Sequence, residues 1–252
     1  MRLDAFLCYK GYFVSRTKSK QAVESGRVYI NGVLRDKPSF DINEASEVVV
    51  EIKRETEFVS LGGYKLDKAL ADFSFSVNGL IAADLGASTG GFTDCLLQHG
   101  AKRVYSVDLN DSLLDERLKK DERVIAIIKN VRSIRKSDFP ENIDVVTADL
   151  SFISLTKVLS IISDIIDDGA YIIALIKPQF ETETRKKFKN GIIRDENVKL
   201  AALKKVYDCA VSLGLSPLKI TNAPIVKDKN EEFLILLKKT DKEIVPLDKI
   251  FV

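Results

Sequence analysis

Between residues 80 and 178 the chain alternates short apolar runs with stretches of helical periodicity. The runs read LIAADLG (80–86), RVYSVDLN (103–110), RVIAIIKN (123–130), IDVVTADLS (143–151) and AYIIALIKP (170–178). Each has the length of a strand and is apolar at successive positions, as strands covered on both faces are. Helices are expected at about 91–99, 111–120 and 154–167, and the run near 124–128 leads into a loop. This alternation predicts an α/β fold, a doubly wound, Rossmann-like parallel sheet. The tail departs from it. A helix at 195–213 precedes LKITNAP (218–224) and EEFLILLKK (231–239), which predicts an antiparallel hairpin at one edge.

The first 57 residues follow another pattern and predict a small α+β module. Leu3, Phe6 and Leu7 share one helical face. Ser15 is placed to cap a second helix that turns Ala22 and Val23 inward and stops at Gly26. Val28-Tyr29-Ile30, Asn31-Gly32 and Val33-Leu34 form a hairpin signal, and SEVVVEIK (46–53) supplies a further strand. Residues 58–64, with Gly62-Gly63, read as a linker. A helix then starts near Tyr64 with Leu66, Ala69, Leu70 and Phe73 inward, opening a large domain over 65–252.

Charge sharpens this division. The net charge is only +2, but residues 1–40 carry eight Lys and Arg against three Asp and Glu. Arg16 and Lys20 share a helical face with Lys18 nearby, an arrangement suited to a phosphate backbone because it offers charges and few base-reading groups. Cys8, Cys95 and Cys209 are far apart, odd in number and without zinc spacing, so a reduced, intracellular protein is expected. His99, the single histidine, has no ligand cluster near it in sequence, and no metal site is expected. The start lacks a signal-peptide core and no apolar run reaches membrane-spanning length, which excludes a membrane partner and points to the cytoplasm.

The chemistry concentrates where the first strand of the sheet enters ADLGASTGGFTDCL (83–96). In doubly wound sheets ligands bind at the carboxyl ends of the strands. The spacing approaches a dinucleotide fingerprint, but Ser88 stands where the second glycine would let a pyrophosphate approach. Asp84 at the strand end suits a cationic group such as an α-ammonium better than an anion. Asp108, ending the next strand, can accept from ribose hydroxyls. Asn130, ending the third, is a candidate for adenine contact. Acid, glycines and acid in this order fit S-adenosylmethionine, with Gly86, Ala87, Ser88, Gly90, Gly91 and Phe92 as the remaining candidate contacts.

Four further polar residues stand near that edge: Lys65, Asp149, Lys177 and Glu232. A lysine directly after YIIALI is costly to bury without partners, and carboxylates would supply them. A structural ion-pair network would use the same residues. So would methylation of a ribose hydroxyl, which needs a base for the departing proton. Lysine serves as that base where burial and a second cation favour its neutral form, and Lys65 is a candidate second cation. No Asn/Asp-Pro-Pro-aromatic loop for base methylation is present, and no cysteine for carbon methylation sits at these strand ends.

The N-terminal pieces RLD (2–4), SRTKSKQAVESGRVYINGV (15–33) and KPS (37–39) resemble an S4-type RNA-binding domain. That resemblance implies RNA contact by Arg2, Arg16, Lys18 and Lys20. DLGASTGGFTDCLLQHGA, VYSVDLN, DLSFISL, LIKPQFE, GIIRDE and NEEFL resemble the TlyA family of ribosomal RNA 2′-O-methyltransferases, whose members also carry haemolysin names and have an FtsJ-like catalytic domain. The resemblance implies a tetrad of Lys65, Asp149, Lys177 and Glu232, with Glu231 as the alternative glutamate, and a cytidine 2′-hydroxyl as acceptor. The short N- and C-terminal ends match members associated with large-subunit RNA. A monomer acting on ribosomal RNA or a ribosomal subunit is expected. One departure stands out: the family usually has Arg before the Gly-Gly of the linker, and here it is Leu61. The competing expectations are a pore-forming protein, which needs a spanning or strongly amphipathic segment, and a non-catalytic ribosome-assembly factor.

Overall fold

The computed structural model describes residues 1–24, 27–43, 48–52, 58–182, 188, 191–225, 229–240 and 244–252. They divide into two compact units, Met1–Glu57 and Phe58–Val252.

In the first unit, helices α1 (Leu3–Tyr9) and α2 (Arg16–Glu24) accompany strands β1 (Val28–Ile30), β2 (Val33–Leu34) and β3 (Val50–Ile52), in the antiparallel order β2-β1-β3. Leu3, Phe6, Leu7, Ala22, Val23, Val28, Ile30 and Ile42 form its core. Ser15 caps α2 as expected, its Oγ accepting the Lys18 N–H at 3.3 Å. The Asn31-Gly32 turn has φ of +51° and +75°, the doubly left-handed backbone that this dipeptide tolerates. The expected helix stop at Gly26 and the ends of SEVVVEIK lie outside the described residues.

The second unit is a three-layer sandwich. Its chain order is α3 (Leu61–Phe73), β4 (Ile81–Leu85), α4 (Gly91–Gln98), β5 (Arg103–Asp108), α5 (Glu116–Lys119), β6 (Val124–Ile128), β7 (Val145–Ala148), α6 (Thr156–Ile165), β8 (Tyr171–Ile176), α7 (Pro178–Glu181), α8 (Glu196–Ser212), β9 (Leu215–Asn222) and β10 (Phe233–Lys239). The seven strands lie in the order β6-β5-β4-β7-β8-β10-β9. Strands β4 to β8 run parallel, and β10 runs antiparallel to both β8 and β9. Alternate residues feed opposite faces. Ala83, Leu85, Val146, Ile172 and Ile235 join α6 and α8 in one core, while Ala82, Val145, Ile173 and Leu234 join α3 and α4 in the other.

Three details differ from the sequence pattern. Helix α3 starts at Leu61, ahead of Tyr64 and inside the stretch read as a linker, because Ser60 is already extended and the Gly63 N–H bonds to its carbonyl. Helix α5 is a single turn that starts later than the pattern predicts, because Asp115 caps it there by accepting from the Arg117 N–H. The antiparallel hairpin of β9 and β10 stands at one edge of the sheet, as the sequence pattern predicts. β10, buried over Phe233–Leu237, fills the place beside β8 and leaves β9 on the edge, where Pro217 lacks a donor for a further strand. Strand β9 also begins earlier than the LKITNAP run, at Leu215. Among the described residues no helix is long and apolar enough to cross a membrane.

Candidate active site

The carboxyl ends of β4, β7 and β8, together with the start of β10, line a cavity of about 350 Å³. A second cavity of about 450 Å³ opens beside the ends of β5 and β6. Gly86, Ser88, Asp149 and Ser151 line both, so the two are one continuous site with two arms.

The first arm gathers the four residues singled out above. Lys177 follows β8 directly and is 8% exposed. Its Nζ lies 2.5 Å from Asp149 Oδ1 and donates to Ser151 Oγ at 3.0 Å. Burying an ammonium costs several kcal/mol unless a counter-charge and hydrogen bonds meet it, and Asp149 and Ser151 provide both. Asp149 also faces Lys65, whose Nζ is 3.9 Å from Oδ2. Lys65 in turn donates to Glu232 Oε2 at 2.7 Å. Cation and carboxylate therefore alternate across the arm, from Lys177 through Asp149 and Lys65 to Glu232. Glu232 is the glutamate that reaches Lys65; Glu231 pairs with Lys199 of α8 instead.

The second arm holds Asp108 and Asn130. Asp108 accepts the Ser88 N–H at 2.8 Å and the Leu109 N–H at 2.6 Å, which fixes its carboxylate at the mouth. Asn130 accepts the Arg132 N–H at 2.9 Å through Oδ1. Gly86 sits between the arms with φ +82°, and a Cβ there would stand 2.8 Å from the Asp149 carbonyl oxygen. Ala87, Ser88, Gly91 and Phe92 line the first arm.

Two expected donor contacts stand elsewhere. Asp84 is fully buried and lines neither arm. Its Oδ2 accepts from Thr93 at 2.7 Å and its Oδ1 from Thr147 at 3.0 Å. In register, Ser106 and Thr147 flank Asp84 on β5 and β7, so one polar row crosses three buried strands beneath α4. Burial pushes the Asp84 carboxyl up to about 6. Asp84 thus anchors the loop above it from beneath the two arms. Gly90 likewise lines neither arm; its φ is +91°, and a Cβ would collide with Leu118 and Leu114.

His99 also departs from expectation. Its Nε2 is 2.8 Å from Asp67 Oδ1, and Cys95 lies with them in a group of possible metal donors. Helix α3 brings Asp67 against α4, a juxtaposition that sequence spacing does not reveal. Burial pushes the Cys95 thiol well up, which keeps it protonated.

In the first unit, Arg2 and Arg16 converge on Asp4, each with Nε 3.1 Å from a carboxylate oxygen. Burial opposes the charge on Asp4, but hydrogen bonds from both arginines outweigh it and hold the carboxyl below its usual range. Both guanidiniums stay more than half exposed on this fixed base. Lys18 is exposed on α2, and Lys20 lies 3.8 Å from Glu24.

Residues 58–240 match the family described as FtsJ-like methyltransferase, and residues 1–48 match the S4 domain. The chain belongs to the FtsJ-like methyltransferase family. Its relatives include "Hemolysin A" of Brachyspira hyodysenteriae, 40% identical over 87% of this chain and 94% of that protein. Another is "16S/23S rRNA (cytidine-2'-O)-methyltransferase TlyA" of Mycobacterium tuberculosis, 32% identical over 96% of this chain and 92% of that protein. A solved chain from Streptococcus thermophilus, described as a candidate hemolysin, is 38% identical with a TM-score of 0.75, covering 98% of this chain and 91% of its own. Membership makes the protein a methyltransferase.

Sequence reasoning passed over Ser151, which holds Lys177, and Lys199, which holds Glu231. It also passed over Lys229, a third cation on the first arm. Ser151 carries a signal, because it follows Asp149 at the next same-side position of an extended segment.

Proposed function

We propose that this protein transfers a methyl group from S-adenosylmethionine to the 2′-oxygen of a ribose, that of a cytidine, in ribosomal RNA. The observation that carries this reading is the buried Lys177 amine, held by Asp149 and Ser151 where the two arms join.

The residues present fit the cofactor. The second arm offers a fixed carboxylate, Asp108, and the Asn130 amide, while Gly86 leaves the space that a side chain would fill. Asp108 and Asn130 would hold the adenosine end, and the backbone of Gly86, Ala87 and Ser88 with Gly91 and Phe92 the amino-acid end. When bound, S-adenosylmethionine supplies a methyl group on a positively charged sulfur, open to attack by an oxygen nucleophile. Lys177 Nζ is the group placed to take the proton from the attacking hydroxyl. Asp149 aims that amine and, with Glu232, fixes Lys65 as a neighbouring cation. Holding the groups in reacting geometry supplies much of the acceleration.

The S4-type unit supports RNA as the substrate, with Arg2, Arg16, Lys18 and Lys20 as phosphate contacts. The division of labour assigns RNA capture to residues 1–57 and chemistry to residues 65–252. The TlyA relative's name supports a cytidine in ribosomal RNA and includes 23S RNA, so large-subunit RNA is the first substrate to test. A monomer working in the cytoplasm on a ribosomal subunit completes the proposal. The test is transfer of tritiated methyl from S-adenosylmethionine to ribosomal RNA from cells lacking the protein, followed by mass-spectrometric mapping. A 2′-O-methylcytidine in 23S RNA is expected; methylation on a base, or no transfer, would overturn the reading. Leakage from dye-loaded liposomes tests the alternative suggested by the name Hemolysin A.

A further inference from the structure

Lys199 is a charged residue in an apolar stripe. On α8 it lies on the inward face with Ala202, Leu203 and Val206, and it is only 6% exposed. Its Nζ meets Glu231 Oε2 at 2.5 Å and Glu196 Oε1 at 2.6 Å. Glu231 is held from its other side as well, its Oε1 accepting from Asn222 Nδ2 at 3.1 Å. Asn230, its neighbour, ties down the segment that leads into α8. Asn230 Oδ1 accepts the Ile193 N–H at 2.8 Å, and Nδ2 donates to the Gly191 carbonyl at 2.9 Å. Thus the GIIRDE stretch and α8 grip residues 230 and 231, immediately before Glu232.

Glu231 also lines the first arm of the site. The charged groups facing that arm are Lys65, Lys177 and Lys229 against Asp149, Glu231 and Glu232. Behind them stand Asp84, near Asp149, and the Lys199–Glu196 pair. With Lys199 in place, Glu231 is neutralised from behind. Without it, an extra carboxylate charge faces the amine that must lose a proton, and Glu231 becomes free to compete with Glu232 for Lys65.

We infer that Lys199 is a positioning residue for methyl transfer: it holds Glu231 out of the charge balance around Lys177 and leaves Lys65 to Glu232. This rests on the function proposed above. The test is the pH dependence of single-turnover methyl transfer to ribosomal RNA, with S-adenosylmethionine binding measured in parallel. Lys199→Met is expected to move the half-maximal pH of transfer upward by about one unit, a fall of about tenfold at neutral pH. Glu231→Gln, which leaves a surplus cation, is expected to move it downward. Lys199→Arg retains the native profile, and Lys199→Met with Glu231→Gln returns the midpoint toward it. Shifts of opposite sign distinguish charge coupling from damage to packing, and Glu231→Gln carries the test if Lys199→Met does not fold. Midpoints that stay fixed, or that move the same way in both single variants, would overturn the inference. Lys177→Met is the control for the underlying reading: if it transfers at the native rate, the site assignment fails instead.

Discussion

Asp84 and Lys177 both stand at the carboxyl ends of parallel strands in one sheet, and both are buried, yet they do opposite things. Asp84 is met by the hydroxyls of Thr93 and Thr147, and its charge is disfavoured. Lys177 is met by a carboxylate and a hydroxyl on the wall of a cavity. The first arrangement ties α4 and β7 to β4. The second keeps a polar nitrogen beside space that a substrate can enter. A strand-end charge is therefore a buried anchor or a group open to a cavity according to its partners and what lies in front of it.

The comparison can be broken from either side. The largest effect is expected from Lys177→Met, which should slow methyl transfer by roughly a thousandfold with S-adenosylmethionine affinity within about threefold of native, measured by single turnover and calorimetry. Loss of transfer that is matched by loss of S-adenosylmethionine binding would make Lys177 a ligand contact instead. Asp84→Ala should instead lower stability by about 3 kcal/mol in denaturant unfolding, because two buried hydroxyls lose their acceptor.

The pH dependence of stability sharpens the same point. The Asp84 carboxyl rises from 3.8 to about 6 on folding, so between those values the native state binds more protons than the unfolded chain. Its contribution is present at low pH and is lost as pH rises through about 6, an effect on the order of 3 kcal/mol. Asp84→Asn should flatten unfolding free energy across about pH 4–6; an unchanged slope would assign it to other groups. Gly86→Ala should cost about 1–2 kcal/mol, given the left-handed backbone and the Asp149 carbonyl in its path. The smallest effect concerns the first unit. Arg2→Ala with Arg16→Ala should reduce the salt slope of RNA binding by about two phosphate contacts while leaving methyl-donor binding unchanged.

The parallel strands could be read from the chain because burial on both faces leaves continuous apolar runs. The place of β10 could not, since periodicity carries no pairing order, although Pro217 marks β9 as an edge. The site residues were legible as types at strand ends, but not in their direction. Asp84 pointed into the protein because Ser106 and Thr147 lie beside it in register and Thr93 above it. Polar breaks at one level in three apolar runs were the available signal. Lys199 gave a similar one, occupying the inward position of a helix stripe. Asp67 and His99 met only through the packing of α3 on α4, which local sequence does not encode.

The central claim is that the Lys177 amine accepts a proton rather than merely supplying positive charge. Lys177→Arg tests it most directly, because arginine keeps the cation beside Asp149 but does not deprotonate in proteins. In single-turnover transfer of labelled methyl to ribosomal RNA, with S-adenosylmethionine binding intact, a loss of at least about a hundredfold is expected. Transfer at the native rate would contradict the account.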